Sequence, residues 1–154
     1  MVSYKHFLNS KECSEILEQG NKEPFSLNST DNRKVYVQKF NIPDWFKLKL
    51  KSIGIFYPLE TYLNKYEKGC YFNRHVDRYN FHTERFKTLI IKLNKDYTGG
   101  KFLLDDQQEL LDLGDMVIFN SDVYHELQQI LSGTRYSLVC WLAKESFINK
   151  NVVI

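Results

Sequence analysis

Three residues of this chain have types and a spacing that point to metal chemistry: His75, Asp77 and His125. His75-Val76-Asp77 sets an imidazole and a carboxylate two residues apart, at the end of a stretch, Cys70–Val76, that reads as a strand. The two-residue period of a strand puts both side chains on one face. His125 follows 125 − 75 = 50 residues later, near the start of another predicted strand, Tyr124–Ile130. Two imidazoles and one carboxylate facing inward from separate strands form the facial donor set that leaves three positions of a non-haem Fe(II) open, enough for an oxidant and a cosubstrate together. His-x-Asp alone is a weak signal, because a strand histidine is more often structural. The second signal is Arg135-x-Ser137, ten residues beyond His125. Period two sends Arg135, Ser137 and Val139 to one strand face and Tyr136, Leu138 and Cys140 to the other. A guanidinium enclosed in a barrel needs an anionic partner. A cosubstrate carboxylate accepts its fork bidentately, and Ser137 can add a third hydrogen bond.

These residues need elements to position them. Asn9–Gln19 predicts a short helix, with Asn9 as cap, Glu12 three residues on and Gly20 as stop. Residues 21–33 are polar and read as a loop, and Lys34–Phe40 as a strand. Pro43 suits the first turn of a second helix running to about Phe56. From there, short runs rich in β-branched and aromatic residues alternate with turn signals. They are Thr61–Tyr66, Cys70–Val76, Phe86–Leu93, Lys101–Asp105, Glu109–Leu113, Asp115–Asn120, Tyr124–Ile130 and Arg135–Leu142, which gives eight strands over residues 61–142. No long helix interrupts them, so the sheet should be antiparallel, a barrel or a sandwich, with the two helices covering one sheet. The expectation is a single domain over 1–154, with 1–60 supporting and 61–142 forming the barrel.

A family resemblance rests on an ordered set of motifs. It comprises Tyr66-x-x-Gly69-x-x-Phe72-x-x-His75-x-Asp77, Thr88-x-x-x-x-Leu93, Gly99-Gly100, Gly114-Asp115, His125-Glu126 and Gly133-x-Arg135-x-Ser137-x-x-x-Trp141. Together they resemble the Fe(II)/2-oxoglutarate-dependent dioxygenases, in particular the prolyl 4-hydroxylase-like branch. Arg74-His75-Val76-Asp77 and Leu93-Asn94-Lys95-Asp96 resemble the oxygen-sensing prolyl hydroxylases, and Phe7–Cys13 resembles the family's opening helix. The resemblance implies a mainly β fold with N-terminal helices, a double-stranded β-helix or jelly roll of about eight antiparallel strands. It implies Fe(II) on His75, Asp77 and His125, with 2-oxoglutarate as cosubstrate and its far carboxylate on Arg135, helped by Tyr66 and Ser137. O2 would be consumed and succinate and CO2 released as an unactivated C–H bond is hydroxylated, with ascorbate as a candidate reductant.

Some residues refine this expectation. Related halogenases carry Ala or Gly where Asp77 stands, so a carboxylate there favours hydroxylation. Asn64-Lys65-Tyr66 matches a motif of the family's nucleic-acid demethylases, but their second Arg is here Trp141. Lys92 stands where the prolyl hydroxylases usually have Tyr. It shares a predicted strand face with Thr88 and Ile90, and it is a candidate second contact to the cosubstrate's far carboxylate. The polar stretch Arg78–Arg85 falls where such folds cover the active site, which makes Arg78, Tyr79 and His82 candidate substrate contacts.

Composition sets the outer limits. The chain has 154 residues, enough for one domain. Lys and Arg number 21 against 19 Asp and Glu, a net charge of +2, which argues against a dedicated nucleic-acid binder. No apolar run has the length of a membrane span, and the N-terminus leads into no apolar signal region. Three widely spaced cysteines, Cys13, Cys70 and Cys140, fit a reducing, cytoplasmic setting better than a disulfide framework or a zinc site. The expected function is hydroxylation of a prolyl residue in a peptide or protein. The alternatives are a free amino acid or other small molecule as substrate, or a jelly-roll binding module without catalysis. The sequence assigns no oligomeric state.

Overall fold

The computed structural model describes residues 1–147. In chain order its elements are β1 (Val2–Tyr4), α1 (Ser10–Gly20), β2 (Ser26–Ser29), β3 (Arg33–Lys39), α2 (Asp44–Ser52), β4 (Pro58–Tyr66), β5 (Tyr71–His75), β6 (Lys87–Lys92), β7 (Tyr97–Gly99), β8 (Phe102–Leu104), β9 (Gln107–Glu109), β10 (Met116–Asn120), β11 (His125–Leu127), β12 (Ile130–Gly133), β13 (Arg135–Leu142) and a short 3-10 turn, Lys144–Phe147. Eleven strands form one curled antiparallel sheet in the order β1-β10-β6-β13-β4-β3-β5-β11-β8-β9, with β2 added on β3. β7 and β12 pair separately. This is the curled, helix-backed architecture expected of a jelly roll. No helix among the described residues is long and apolar enough to cross a membrane.

The central strands separate two cores by simple alternation. Leu89, Ile91 and Leu93 from the β6 segment, Met116 and Ile118 from β10, and Leu138, Cys140 and Leu142 from β13 point to one side. There they meet Cys13 and Ile16 of α1 and Phe46 and Leu50 of α2. Ile90, Val117, Phe119 and Val139 point to the other side, into the curl. Burying a Leu or Phe side chain is worth roughly 1.5–3 kcal/mol, so the helix-side core holds the sheet rigid while its opposite face is left to form a site.

α1 begins as its sequence predicts. The Asn9 side chain accepts from the Glu12 N–H at 2.8 Å, and Glu12 accepts from the Asn9 N–H at 2.9 Å. Lys49 of α2 reaches Glu12 at 2.8 Å and ties the two helices together. α2 stops at Ser52, short of the expected Phe56, because Gly54 adopts φ +88° and turns the chain toward β4.

Other differences have local causes. The stretch expected to be a loop, 21–33, contains β2, a mostly polar edge strand held by its ladder to β3 and lacking any apolar alternation. β9 lies at Gln107–Glu109 and not at Glu109–Leu113, because Asp105 and Asp106, at φ +50° and +59°, make a tight turn directly after β8. The expected strand Tyr124–Ile130 is two strands, β11 and β12, paired to different partners. β1, absent from the expectation, is three residues long and forms only by docking on β10. Gly114 makes that docking possible. Its φ is +82°, its carbonyl accepts from the Leu8 N–H at 3.1 Å, and any Cβ would fall 1.8 Å from the Leu8 carbonyl oxygen.

Candidate active site

His75 ends β5 and His125 begins β11, and the two are direct register partners across that antiparallel pair. Their ring centres are 4.2 Å apart. Asp77 lies just past the end of β5, where its N–H and that of Arg78 both donate to the Ser121 carbonyl at 2.9 Å. Ligand atoms of His75, Asp77 and His125 all fall within 4.8 Å of one another, the one cluster of at least three His, Cys, Asp or Glu in metal range among the described residues. Asp77 and His125 are buried and His75 is half-buried.

The hydrogen bonds show which atoms are free to bind a cation. His75 Nδ1 lies 2.7 Å from the Asn73 carbonyl and His125 Nδ1 lies 3.0 Å from the Val123 carbonyl. A carbonyl only accepts, so each Nδ1 carries a proton and each Nε2 is the ring nitrogen turned toward Asp77. Those two Nε2 atoms stand 3.5 and 3.4 Å from the Asp77 carboxylate oxygens. Three potential ligand atoms therefore converge where one bound cation would touch all of them. Two imidazoles and one carboxylate are the donor set that suits Fe(II), and they are too few to close its coordination shell. Burial alone would raise the Asp77 carboxyl, but the two facing imidazoles override it and hold the group well below the usual carboxylate range.

A ring of neighbours fixes these ligands. Asp77 Oδ2 accepts from Thr88 Oγ1 at 2.8 Å and from Trp141 Nε1 at 3.1 Å. Thr88 is held in turn by Ser121 Oγ at 2.9 Å. The His75 ring stacks on Phe72, with centres 3.5 Å apart and planes 13° from parallel, and Phe119 packs edge-on against His125 at 4.9 Å. Arg85 lies over the Trp141 ring at 3.6 Å and reaches the Asp77 carbonyl at 3.3 Å. Period two could have found Trp141, since it shares the β13 face of Arg135, Ser137 and Val139. Arg85 gives no such signal, because it lies in the irregular segment before β6.

The triad opens into a cleft of about 840 Å³. Arg135 and Ser137 line it, as their shared strand face predicts, and so does Tyr66, which the family resemblance brought in. Arg135 is 4% exposed, and its Nη1 donates to Ser137 Oγ at 3.2 Å. Its guanidinium lies 5.6 Å from the centre of the Tyr66 ring, whose residue is its register partner on β4. Burial pushes the Tyr66 hydroxyl up to about 12, with the Arg135 charge acting the other way, so it stays a neutral donor. Among the described residues no carboxylate pairs with Arg135.

The remaining candidates divide. Tyr79 and His82 line the cleft and meet edge to face at 5.0 Å, whereas Arg78 is exposed and does not line it. Lys92 pairs in register with Ser137 but does not line this cleft. Its ammonium donates to the Leu111 carbonyl at 3.0 Å and lines a smaller neighbouring cavity, of which Arg135 is also a wall.

Comparison with known proteins agrees with this geometry. The family model of the 2OG-Fe(II) oxygenase superfamily matches residues 61–143, the stretch that carries every candidate ligand. A PKHD-type hydroxylase of Gluconobacter oxydans is 29% identical over 100 residues, covering 54% of this chain and 44% of that protein. A PKHD-type hydroxylase of Cupriavidus pinatubonensis is 31% identical over 102 residues, covering 58% of this chain and 44% of its own. The match thus spans less than half the length of these curated relatives. Among solved structures, a Pseudomonas putida prolyl-4-hydroxylase superposes with a TM-score of 0.70 at 21% identity, covering 92% of this chain and 91% of the other. A Trichoplax adhaerens prolyl hydroxylase, solved with a hypoxia-inducible-factor peptide fragment, superposes with a TM-score of 0.77 at 18% identity, covering 94% and 83%.

Proposed function

The chain belongs to the 2OG-Fe(II) oxygenase superfamily, and from that premise we propose that it is an Fe(II)- and 2-oxoglutarate-dependent hydroxylase acting on a prolyl residue of a peptide or protein. The observation that carries the proposal is Arg135, a buried guanidinium without a carboxylate partner among the described residues, in the same cleft as three converging metal-ligand atoms. A buried charge of that kind is costly unless an anion completes it, and the far carboxylate of 2-oxoglutarate is such an anion.

His75, Asp77 and His125 would hold the iron, which when bound supplies the redox chemistry that activates O2 against a C–H bond. The chain's own part is placement. Thr88 and Trp141 engage Asp77 Oδ2, which leaves Oδ1 as the oxygen free to ligate. The two carbonyl-bound Nδ1–H groups keep each imidazole turned with its Nε2 inward. Arg135 and Ser137 bind the cosubstrate's far carboxylate and so fix how far its other end reaches. Ile90, Val139 and Phe102 give the cleft apolar walls that keep water from the reacting carbon. Tyr79, His82 and Arg85 also line the cleft and are placed to contact a substrate. A peptide substrate is supported by the size of the cleft and by the peptide bound to the Trichoplax neighbour.

The test is succinate release from 2-oxoglutarate with Fe(II) and ascorbate, with and without proline-containing peptides. Peptide-stimulated succinate and a +16 Da prolyl product are expected, both lost in His75→Ala. Stimulation by free amino acids alone would replace the peptide reading. Absence of any turnover, with no metal-dependent binding of 2-oxoglutarate, would overturn the proposal.

A further inference from the structure

A second cavity of about 280 Å³ adjoins the cleft, and Phe102 and Arg135 line both. Its lining is strongly cationic: Lys92, Lys95, Lys101 and Arg135, against the single carboxylate of Glu109. None of the four cations makes an ion pair with a carboxylate among the described residues. The Lys92 ammonium gives one N–H to the Leu111 carbonyl and stands 5.2 Å from the Tyr97 ring centre, so it is anchored at the cavity with donors to spare. Gly99 and Gly100, at φ +76° and +62°, contribute bare backbone to the same wall. A concave surface with like charges on low-dielectric walls concentrates positive potential and draws anions. Neither Lys95 nor Lys101 has a role in the reaction proposed above.

We propose that this cavity binds a small oxyanion, phosphate either free or as a small monoester, and that this anion and the cosubstrate weaken each other's binding through their common Arg135. Anion binding stands on the lining alone, whereas the antagonism rests on the reading of Arg135 as the cosubstrate's partner. An anion in the second cavity lowers the potential that Arg135 offers in the first, and linkage makes the effect reciprocal.

The test begins with metal-free protein, titrated with inorganic phosphate and, separately, with glycerol phosphate by calorimetry. Saturable binding is expected. Lys95→Ala and Lys101→Ala should each weaken it about threefold to fivefold, in line with exposed charge pairs, while Lys11→Ala on α1 leaves it unchanged. Tighter binding of the ester would identify a monoester as the natural form, and equal binding free phosphate. No saturable binding, or equal loss in all three variants, would overturn the site. Titration of 2-oxoglutarate with Mn(II), with and without phosphate, then tests the coupling. The dissociation constant should rise several-fold with phosphate in the wild type and not in a Lys95→Ala/Lys101→Ala double variant. A rise that persists in the double variant places phosphate in the cosubstrate's own pocket and overturns the antagonism. A 2-oxoglutarate that fails to bind in any condition refutes the reading of Arg135 and leaves the phosphate titration standing.

Discussion

Asp77 accepts two side-chain hydrogen bonds on one oxygen and faces two imidazoles, so few side chains here are more tightly specified. Partners that orient a metal ligand typically contribute about tenfold to a hundredfold in metal affinity. Trp141→Phe and Thr88→Val should each weaken Co(II) binding by about that factor, followed by absorbance titration, with the circular dichroism spectrum unchanged. Arg135→Ala separates the other half of the site. Hydrogen bonds to charged groups are worth about 1.5–3 kcal/mol, so its loss should weaken 2-oxoglutarate about tenfold to a hundredfold, measured calorimetrically, and leave Co(II) binding intact. A parallel loss of metal affinity would mean that Arg135 supports the fold and not the cosubstrate.

At the scale of elements, the decisive joint is the one that brings the N-terminal segment onto β10. Asp115 has a fully buried side chain and accepts from the His6 N–H at 2.7 Å, from the Asp112 N–H at 2.9 Å and from Lys5 at 3.0 Å. Burial opposes its ionisation, but these donors prevail and lower its pKa. The sign follows: a carboxyl lowered in the folded state adds stability above its unfolded value, near pH 4, and loses it as pH falls through the folded value. Asp115→Asn should therefore flatten the acid limb of a denaturation series between about pH 5 and 2. At neutral pH, Asp115→Ala should cost about 1–3 kcal/mol through its unpaired donors.

The same scale shows what the chain discloses in advance. The long strands β4, β6, β10 and β13 are legible because each has one face against the helices and one in the cleft, and α1 because Asn9 and Glu12 carry its cap. β1, β2 and β7 are not, since three or four mostly exposed residues take strand form only by pairing with a distant partner. His75, Asp77, His125 and Arg135 were legible by type, spacing and period. The position of Lys92 was not, because the strand face says which way its stem leaves the backbone but not that Leu111 captures its ammonium.

For the whole molecule, metal and cosubstrate should act as linked stabilisers, since the unfolded chain holds neither site together. A ligand at a hundred times its dissociation constant adds about 2.7 kcal/mol. For a chain of this size that amounts to a rise of about 5–10 °C in Tm. Differential scanning fluorimetry should show one increment with Mn(II) and a second with 2-oxoglutarate. Arg135→Ala should lose the second and keep the first.

The pairing of His75 with His125 across β5 and β11 has a further consequence. A strand slipped by one residue turns each side chain to the opposite face, so a chain that misaligns this pair throws one imidazole outward. Nor does any fragment shorter than residues 75–125 contain all three candidate metal ligands. On the function proposed above, a copy cut short before His125 or misthreaded at this pair would lack a complete set of iron ligands. On that reading the metal site exists only once β5 and β11 have paired in register, so formation of the sheet would come before any chemistry at the site.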